Sequence, residues 1–183
     1  LRKEEIAEIL AKTLKWSDET KTHWIDIDTA VVADYFEGVY FPDTYLIPTD
    51  DSPVLIARRL QAHFEEKFAP YADEARKQNI KWDTALKLAS LIQREAAGKD
   101  DMAIISGILW NRLLQEMKLD VDATVQYARG NTGEGWWAPI VSADKKIDSR
   151  YNTYIYVGLP KHPIDNTGID AIAAALRPEK TNC

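Results

Sequence analysis

The sequence has almost no cysteine and no long apolar run. Its single cysteine, Cys183, is the last of 183 residues, so no disulfide can form within the chain. No stretch approaches the ~18 consecutive apolar residues of a membrane-spanning helix. The opening LRKEEIAEILAKTLKW follows a helical pattern at once and does not resemble a signal peptide. This start, together with the end at EKTNC, leads us to expect a fragment of a longer chain that has lost an anchor or targeting segment.

Positive charge and metal ligands are also scarce. The formal net charge is −6 and the pI is about 5.1, which excludes the basic footprint of a nucleic-acid-binding surface. The histidines His23, His63 and His162 are scattered, and none is paired at a spacing typical of metal ligands. Neither a glycine-rich phosphate loop nor a G-x-S-x-G element occurs. We therefore expect no metal, no cofactor and no nucleic-acid partner.

The chain has enough apolar residues for one folded domain. Hydrophobic residues make up 45% of the sequence, which favours a real core and argues against disorder. The 6 tryptophans and 8 tyrosines are compatible with carbohydrate binding, because aromatic faces pack well on sugar rings. For any single ring, however, a place in the core or on the surface is the simpler expectation.

The apolar spacing predicts an α+β fold with a helical central part. Residues 119–167 are rich in glycine and proline and contain only short strand-like pieces such as YNTYIYVG. We therefore expect a loop-rich, short-stranded C-terminal third that lines a cleft. The stretch 23–36 fits a helix or a strand. Helices are predicted over 3–15, from Pro53 to near Pro70, over 71–79, 82–97 and 101–117, and over the final GIDAIAAAL.

One carboxylate on the helix predicted over 82–97 has an unusual place. On a wheel of ~100° per residue, Glu95 falls between the directions of Leu88 and Leu91, away from the solvated face. Desolvation there raises a carboxyl pKa, and a protonated acid near neutral pH is what cleavage of a glycosidic bond needs. The wheel alone also allows a snorkelling or ion-paired glutamate at a helix end. The residues predicted to form the solvated face are Asp83, Lys87, Ser90 and Arg94.

Four blocks in order along the chain resemble the motifs of one family. FEGVYFPDTY, at 36–45, is similar to a LEGYLFPDTY-type segment, and LASLIQREA, at 88–96, is similar to an ASIVEKE-type helix. NRL at 111–113 and MKLDVDATVQYA at 117–128 resemble NRL…MPLQSDPTVIYA. SRYNTYIYVGLPKHPIDNTG, at 149–168, resembles S-x-YNTY…GLPPGPIxNPG. Together these blocks resemble the MltG (YceG-like) endolytic murein transglycosylase family over most of residues 36–178.

The resemblance implies a single catalytic acid. The last acid of the ASIVEKE-type motif corresponds to Glu95. Its first acid is replaced by Gln93, so that position cannot hold an essential acid if this chain is active. The remaining departures bear on loop conformation more than on chemistry, and they are Ala123, Lys161, His162 and Thr167.

By this resemblance, the substrate is the glycan strand of peptidoglycan, cut between N-acetylmuramic acid and N-acetylglucosamine. Glu95 would protonate the glycosidic oxygen and then take the proton of the muramyl C6 hydroxyl, which attacks C1 and leaves a 1,6-anhydro end. A nucleophile tethered to the same ring requires no positioned water, so one carboxyl can suffice. The residues expected to line the cleft and bind the substrate are Glu37, Tyr40, Asp43, Asn111, Asp122, Thr124, Tyr151, Asn152 and Tyr154.

The resemblance also implies a domain layout and a place in the cell. Residues 1–20 would be the remnant of an N-terminal LysM-like subdomain, and residues 21–183 a C-terminally truncated catalytic domain. The location would be the cell envelope, at the extracytoplasmic face of the bacterial inner or plasma membrane, through an anchor outside this chain. Peptidoglycan synthases, the penicillin-binding proteins, would be its protein partners.

Two other functions stay open at this point. A two-carboxylate glycoside hydrolase could use Glu95 with Asp122 or Glu37, and its products would carry reducing ends. A non-catalytic domain could bind cell-wall glycan as a scaffold. Several of the substrate-binding candidates also have structural alternatives. Asp43 and Asp122 fit turn or cap acceptors, and Tyr40 or Tyr154 fits a core position with a tethered hydroxyl.

Overall fold

The computed structural model describes residues 1–32 and 37–181, and within them the regular structure is helical. Two short turns of other types occur, a π-helical turn at Trp24–Asp28 and a 3₁₀ turn at Asp144–Lys146. The α-helices are α1 (Lys3–Leu14), α2 (Asp18–His23), α3 (Thr29–Val32), α4 (Pro53–Lys77), α5 (Trp82–Glu95), α6 (Lys99–Leu114), α7 (Asp122–Arg129) and α8 (Ile169–Leu176).

The prediction of an α+β fold is wrong, because no residue in the two described ranges lies in a strand. The segment YNTYIYVG forms consecutive turns: the Asn152 N–H donates to Ser149 O at 2.9 Å, and the Tyr156 N–H donates to Asn152 O at 3.0 Å. Such local bonds use backbone groups that a strand would offer to a neighbouring strand. The ambiguous stretch 23–36 is helical as far as Val32, while residues 33–36 and Cys183 lie outside the described part of the chain.

The helix α4 continues through Pro70, where two separate helices had been predicted. An interior proline removes one hydrogen bond and destabilises a helix by about 3 kcal/mol or more. The buried Phe64 and Phe68 precede it and stack at 5.1 Å between ring centroids, and the buried Ala75 follows it. Since burial of one phenylalanine contributes about 1.5–3 kcal/mol, packing on both sides of the proline outweighs the local loss.

The helices α5 and α8 pack against each other in the centre of the core. Alanines form much of the α8 face, and small side chains let two helices approach closely. On α5, Leu88, Leu91 and Ile92 are fully buried. The body of α5 is therefore held firmly, while its last residue, Glu95, reaches the edge of the core.

The N-terminal helix contributes to the same core through the buried Ile6 and Leu10. The guanidinium of Arg2, which is only 5% exposed, lies 4.2 Å from the ring centroid of Tyr127 and 4.4 Å from that of Trp136. The domain boundary near residue 20 stays a prediction. Among the described helices, none is both long enough and apolar enough to cross a bilayer.

Candidate active site

Glu95 is the last residue of α5, which ends there because Ala96 is extended at φ −73° and ψ 131°. Glu95 is solvent-exposed as a whole, but one side of it packs against a cleft. This partial burial raises the pKa of its carboxyl; the Asp122 carboxylate raises it further, and the Arg94 guanidinium opposes both. The direction is the one expected from the wheel, while a catalytic role for Glu95 stays a prediction.

The cleft beside Glu95 has a volume of about 300 Å³ and lies between α6 and the loop that precedes α7. Aliphatic side chains from both elements form most of its wall, and two charged residues stand among them. A carboxyl at the mouth of this cleft is partly covered by apolar side chains, and this partial desolvation favours its protonated form. The residues that line it with Glu95 are Ile105, Ile108, Leu109, Arg112, Leu119, Asp120 and Val121.

Arg112 fastens the loop wall of this cleft to α6. Its Nη1 donates to Lys118 O at 3.2 Å, to Leu119 O at 2.9 Å and to the Asp120 carboxylate at 3.4 Å. Asp120 has a left-handed backbone, with φ of 55°, so the chain turns sharply there. The guanidinium thus fixes this turn from the side of α6, while Thr153 O accepts from the Asp120 N–H at 3.3 Å on the other side.

Asp122 begins α7 beside this wall and is the predicted substrate-binding residue with a direct electrostatic effect on Glu95. The Tyr154 hydroxyl donates to Asp122 Oδ1 at 2.5 Å. Lys145 Nζ lies 3.8 Å from the same oxygen and 4.1 Å from the centroid of the Tyr154 ring. The structure therefore brings Asp122 and Tyr154 together near Glu95 and adds a cation that the sequence had not indicated.

Three other predicted substrate-binding residues lie in α7 and in the loop that contains Tyr154. Asn152 is fully buried, and its Nδ2 donates to the carbonyls of Lys145, at 3.1 Å, and Ile147, at 2.8 Å. Thr124 is fully buried too, with its hydroxyl 2.9 Å from that of Thr153. The ring of Tyr151 is half-buried against another tyrosine. In this structure the buried Asn152 and Thr124 hold the loops in shape and do not face the cleft.

Glu37 and Tyr40 are fully buried as well. Glu37 accepts hydrogen bonds from the Lys3 N–H, at 3.0 Å, and from the side-chain amide of Asn166. Burial raises the pKa of Glu37 well above its usual range. The Tyr40 hydroxyl donates to Thr29 O at 2.9 Å. Both side chains tie the N-terminal helices to the core, so neither can touch a ligand in this conformation.

Asp43 and Asn111 are held by partners outside the cleft lining. Asp43 is exposed, and its carboxylate is 2.8 Å from Nε2 of His63 on α4. The side-chain amide of Asn111 donates to Thr181 O at 3.0 Å and so fastens the chain that follows α8 to α6. Their substrate-binding role stays a prediction, but these contacts give each of them a structural one.

The predicted solvated face of α5 is wrong at one position. Ser90 is fully buried, and its hydroxyl accepts a hydrogen bond from the Ile164 N–H at 3.1 Å while donating to Lys87 O at 2.7 Å. Arg94 is exposed, and its guanidinium lies 3.8 Å from the centroid of Trp137. The helical wheel missed this because the covering segment lies 74 residues away in sequence.

Arg112 and Lys145 are the residues that sequence reasoning missed. Arg112 lies in the NRL block and follows Asn111 directly, so the motif pointed to its neighbourhood but not to its hydrogen bonds. Lys145 lies in the polar run ADKKIDS, and no spacing distinguishes it from Lys146. Only the folded loop shows which lysine approaches Asp122.

Comparison with known proteins confirms the resemblance. The sequence profile of the YceG-like family matches residues 1–183. A protein named endolytic murein transglycosylase from Streptococcus pneumoniae is 32% identical over 147 residues, which cover 80% of this chain and 27% of that protein. Its namesake from Bacillus subtilis is 36% identical over 149 residues, which cover 80% of this chain and 40% of that protein.

The fold has a counterpart of known structure. The crystal structure of a putative YceG-like protein from Listeria monocytogenes matches 98% of this chain and 64% of its own, with a TM-score of 0.83 at 30% identity. The chain thus spans less than two thirds of each of these relatives. The profile match over the whole sequence, with this shared fold, shows that the chain belongs to the YceG-like family.

Proposed function

We propose that this chain carries the catalytic centre of an endolytic peptidoglycan lytic transglycosylase. It would cleave the bond between N-acetylmuramic acid and N-acetylglucosamine without water and leave a 1,6-anhydro-N-acetylmuramic acid end. The observation that carries the proposal is Glu95, an acid with a raised pKa at the mouth of a cleft. The relatives from S. pneumoniae and B. subtilis, named endolytic murein transglycosylases, support the choice of substrate.

The reaction needs one group that first gives and then takes a proton. Protonated Glu95 donates its proton to the glycosidic oxygen as the bond from C1 to that oxygen breaks. The resulting carboxylate then accepts the proton of the C6 hydroxyl as its oxygen bonds to C1. The carboxyl is restored and no water is consumed. Because the nucleophile belongs to the same sugar, its effective concentration is high without a second carboxylate to activate it.

Asp122 supports this chemistry through its charge. Its carboxylate raises the pKa of Glu95, so the acid keeps its proton closer to neutral pH. A negative group near the cleft also favours the positive charge that develops at C1 during bond cleavage. The Tyr154 hydroxyl, which donates to Asp122 Oδ1, and the nearby Lys145 ammonium hold the Asp122 side chain in place beside Glu95.

Asp122 also supports a second candidate, a glycoside hydrolase with two carboxylates. In that reaction, Glu95 would act as the acid and Asp122 as the base or nucleophile. Glu37 does not suit the second role, because it is fully buried and bonded to Lys3 and Asn166. The two reactions differ in their products, since hydrolysis leaves a reducing end.

In a cell, the proposal places the chain in the envelope, at the extracytoplasmic face of the inner or plasma membrane. Peptidoglycan synthases, the penicillin-binding proteins, would be the protein partners in such a role.

The test is digestion of purified sacculi followed by mass spectrometry of the released fragments. We expect anhydro ends from the wild type and none from Glu95→Gln, which keeps the shape but cannot donate the same proton. Glu19→Gln makes the same change at an exposed position of α2 and should digest like the wild type. Reducing ends would establish the hydrolase instead. Glycan binding by wild type and Glu95→Gln alike, without any product, would establish a scaffold.

A further inference from the structure

We propose that Gln93 is a positioning residue for Glu95. With the Ser90 hydroxyl, its side-chain amide fixes the rotation of α5 against the segment 164–168, and this rotation aims the Glu95 carboxylate into the cleft. The catalytic consequence rests on the proposed function, whereas the positioning itself does not.

Within the described part of the chain, no hydrogen bond orients the Glu95 carboxylate. Among the described residues, none donates to its carboxylate, and the effects of Asp122 and Arg94 on it are charge effects. The residue is the last one of α5, and the chain becomes extended at Ala96. The direction of its side chain is therefore set by the orientation of the helix that carries it.

Apolar packing holds the body of the helix, and two hydrogen bonds add to this near its end. Ser90 Oγ accepts from the Ile164 N–H at 3.1 Å in a fully buried position. Gln93 Oε1 accepts from the Gly168 N–H at 3.3 Å. Positions three apart share one face of a helix, so the two bonds act on the same side of α5, one turn apart. Gln93 is the nearer of the two to Glu95.

The segment that these side chains hold is itself firmly placed. Residues 164–167 are all buried, and Gly168 is the N-cap of α8, which packs directly on α5. Asn166 in this segment accepts from the Gly38 and Tyr40 N–H groups, both at 2.9 Å. Gln93 therefore links the end of α5 to a buried, hydrogen-bonded segment of the core.

A small rotation would be enough to matter. A side-chain tip about 5–6 Å from the helix axis moves by about 1 Å when the helix turns by about 10°. A misplacement of about 1 Å at a reacting group can lower the rate by about 100-fold. Loss of one polar contact near the end of α5 can thus change catalysis without unfolding the helix.

Replacement by glutamate should preserve the contact. Either side chain presents an oxygen to the Gly168 N–H, whereas leucine has a similar size and no acceptor. Residues 93 and 95 point to opposite sides of the helix, so a charge at position 93 acts on Glu95 only weakly. Gln93→Glu is therefore the conservative variant, and Gln93→Leu is the disruptive one.

The experiment compares these variants by three readouts. Carbon-13 NMR follows the titration of the Glu95 carboxyl, assigned by its loss in Glu95→Gln. Steady-state kinetics on solubilised glycan strands separates kcat from KM, and thermal melting reports on folding. Gln78→Leu makes the same change at an exposed end of α4 and serves as the matched control.

We expect Gln93→Leu to move the Glu95 titration towards the ordinary range of a glutamate, because the carboxyl swings towards solvent. We expect kcat to fall by about 10-fold or more with KM changed by less than about 2-fold, and Gln93→Glu to restore kcat to within about 3-fold. A Gln93→Leu protein whose Glu95 titrates as in the wild type would overturn the proposal.

Two further outcomes are decisive. If Gln93→Leu does not fold, Ser90→Ala removes the other bond with little change in volume, and the same shift of the Glu95 titration is expected; its absence overturns the proposal. If the wild type yields no anhydro ends, the proposed function fails, while the NMR titration still decides whether Gln93 orients Glu95.

Discussion

Replacement of Glu37 by glutamine should make the protein less sensitive to rising pH. Glu37 is fully buried, and burial raises the pKa of its carboxyl well above the usual range, with the charges of Glu4 and Asp165 adding to the effect. The Arg2 guanidinium and the Lys3 N–H oppose it. Glutamine imitates the protonated acid: its oxygen can accept from Lys3, and its NH₂ lies where the Tyr127 hydroxyl can accept.

The direction and size of this change in stability with pH follow from proton linkage. Folded Glu37 keeps a proton that the unfolded chain releases above its pKa of about 4.3, so stability is complete below that pH and falls as pH rises towards the folded pKa. The loss is about 1.4 kcal/mol per pH unit while the folded acid stays protonated. Burial also raises the pKa of Asp165 to about 7, which adds a similar loss between about pH 4 and 7. Glu37→Gln should therefore remove the part of this loss of stability with rising pH that comes from Glu37.

The assay is urea unfolding followed by tryptophan fluorescence at pH 4.5, 5.5 and 6.5. The stability of Glu37→Gln relative to the wild type should rise with pH, by at most about 1.4 kcal/mol per pH unit while folded Glu37 stays protonated. The control is Asp43→Asn, since Asp43 is exposed and the His63 hydrogen bond lowers its pKa. Its contribution changes with pH only below about pH 4, so the difference between Asp43→Asn and the wild type should stay nearly constant across these three pH values. A difference between Glu37→Gln and wild type that does not vary with pH would refute the reasoning, because Glu37 would then be ionised in the folded protein.

Two further changes test the site and the packing around it. Asp122→Asn should lower the pKa of Glu95, because the repelling charge is gone. The alkaline limb of kcat/KM against pH should therefore move to lower pH. If this limb does not move, Asp122 does not influence the acid. Gly107→Ala would place a Cβ 2.0 Å from Glu179 O, and the displacement should cost about 1–3 kcal/mol in urea unfolding, whereas Gly98→Ala meets open space and should cost less. Equal losses of stability in the two variants would argue against close packing of Glu179 on α6.

The success of sequence reasoning about the fold depended on the range of the interactions. The helices α1, α5 and α6 were predicted within a few residues, because their apolar periodicity is a local property of the chain. Pro70 misled the reasoning, since its local cost is offset by aromatic packing that a window of sequence does not show. YNTYIYVG has the composition of a strand, but Asn152 supplies turns and internal hydrogen bonds in place of a neighbouring strand.

In the candidate site, too, residues were predictable where the signal was local and not where it depended on tertiary contacts. Glu95 could be found because local apolar periodicity predicts the helix that carries it. The ordered sequence blocks then indicated that this helix carries a catalytic acid. The motif residues around it were harder to interpret, because motifs mark both the groups that act and the groups that hold them. Glu37 and Asn152 look like polar cleft residues in sequence, yet both are fully buried with their polar atoms satisfied by the chain itself.

Burial therefore decides which motif residues can act on a ligand in this structure. Asp122 and Tyr154 keep access to solvent and form a hydrogen bond with each other beside Glu95. Gln93 stands at a position where the family motif has an acid. In the structure its side-chain oxygen accepts a hydrogen bond from the Gly168 N–H. A glutamate at position 93 could make the same contact, so the first acid of the family motif need not take part in proton transfer. A normal pH profile together with a restored kcat in Gln93→Glu would be the clearest sign that this position serves geometry.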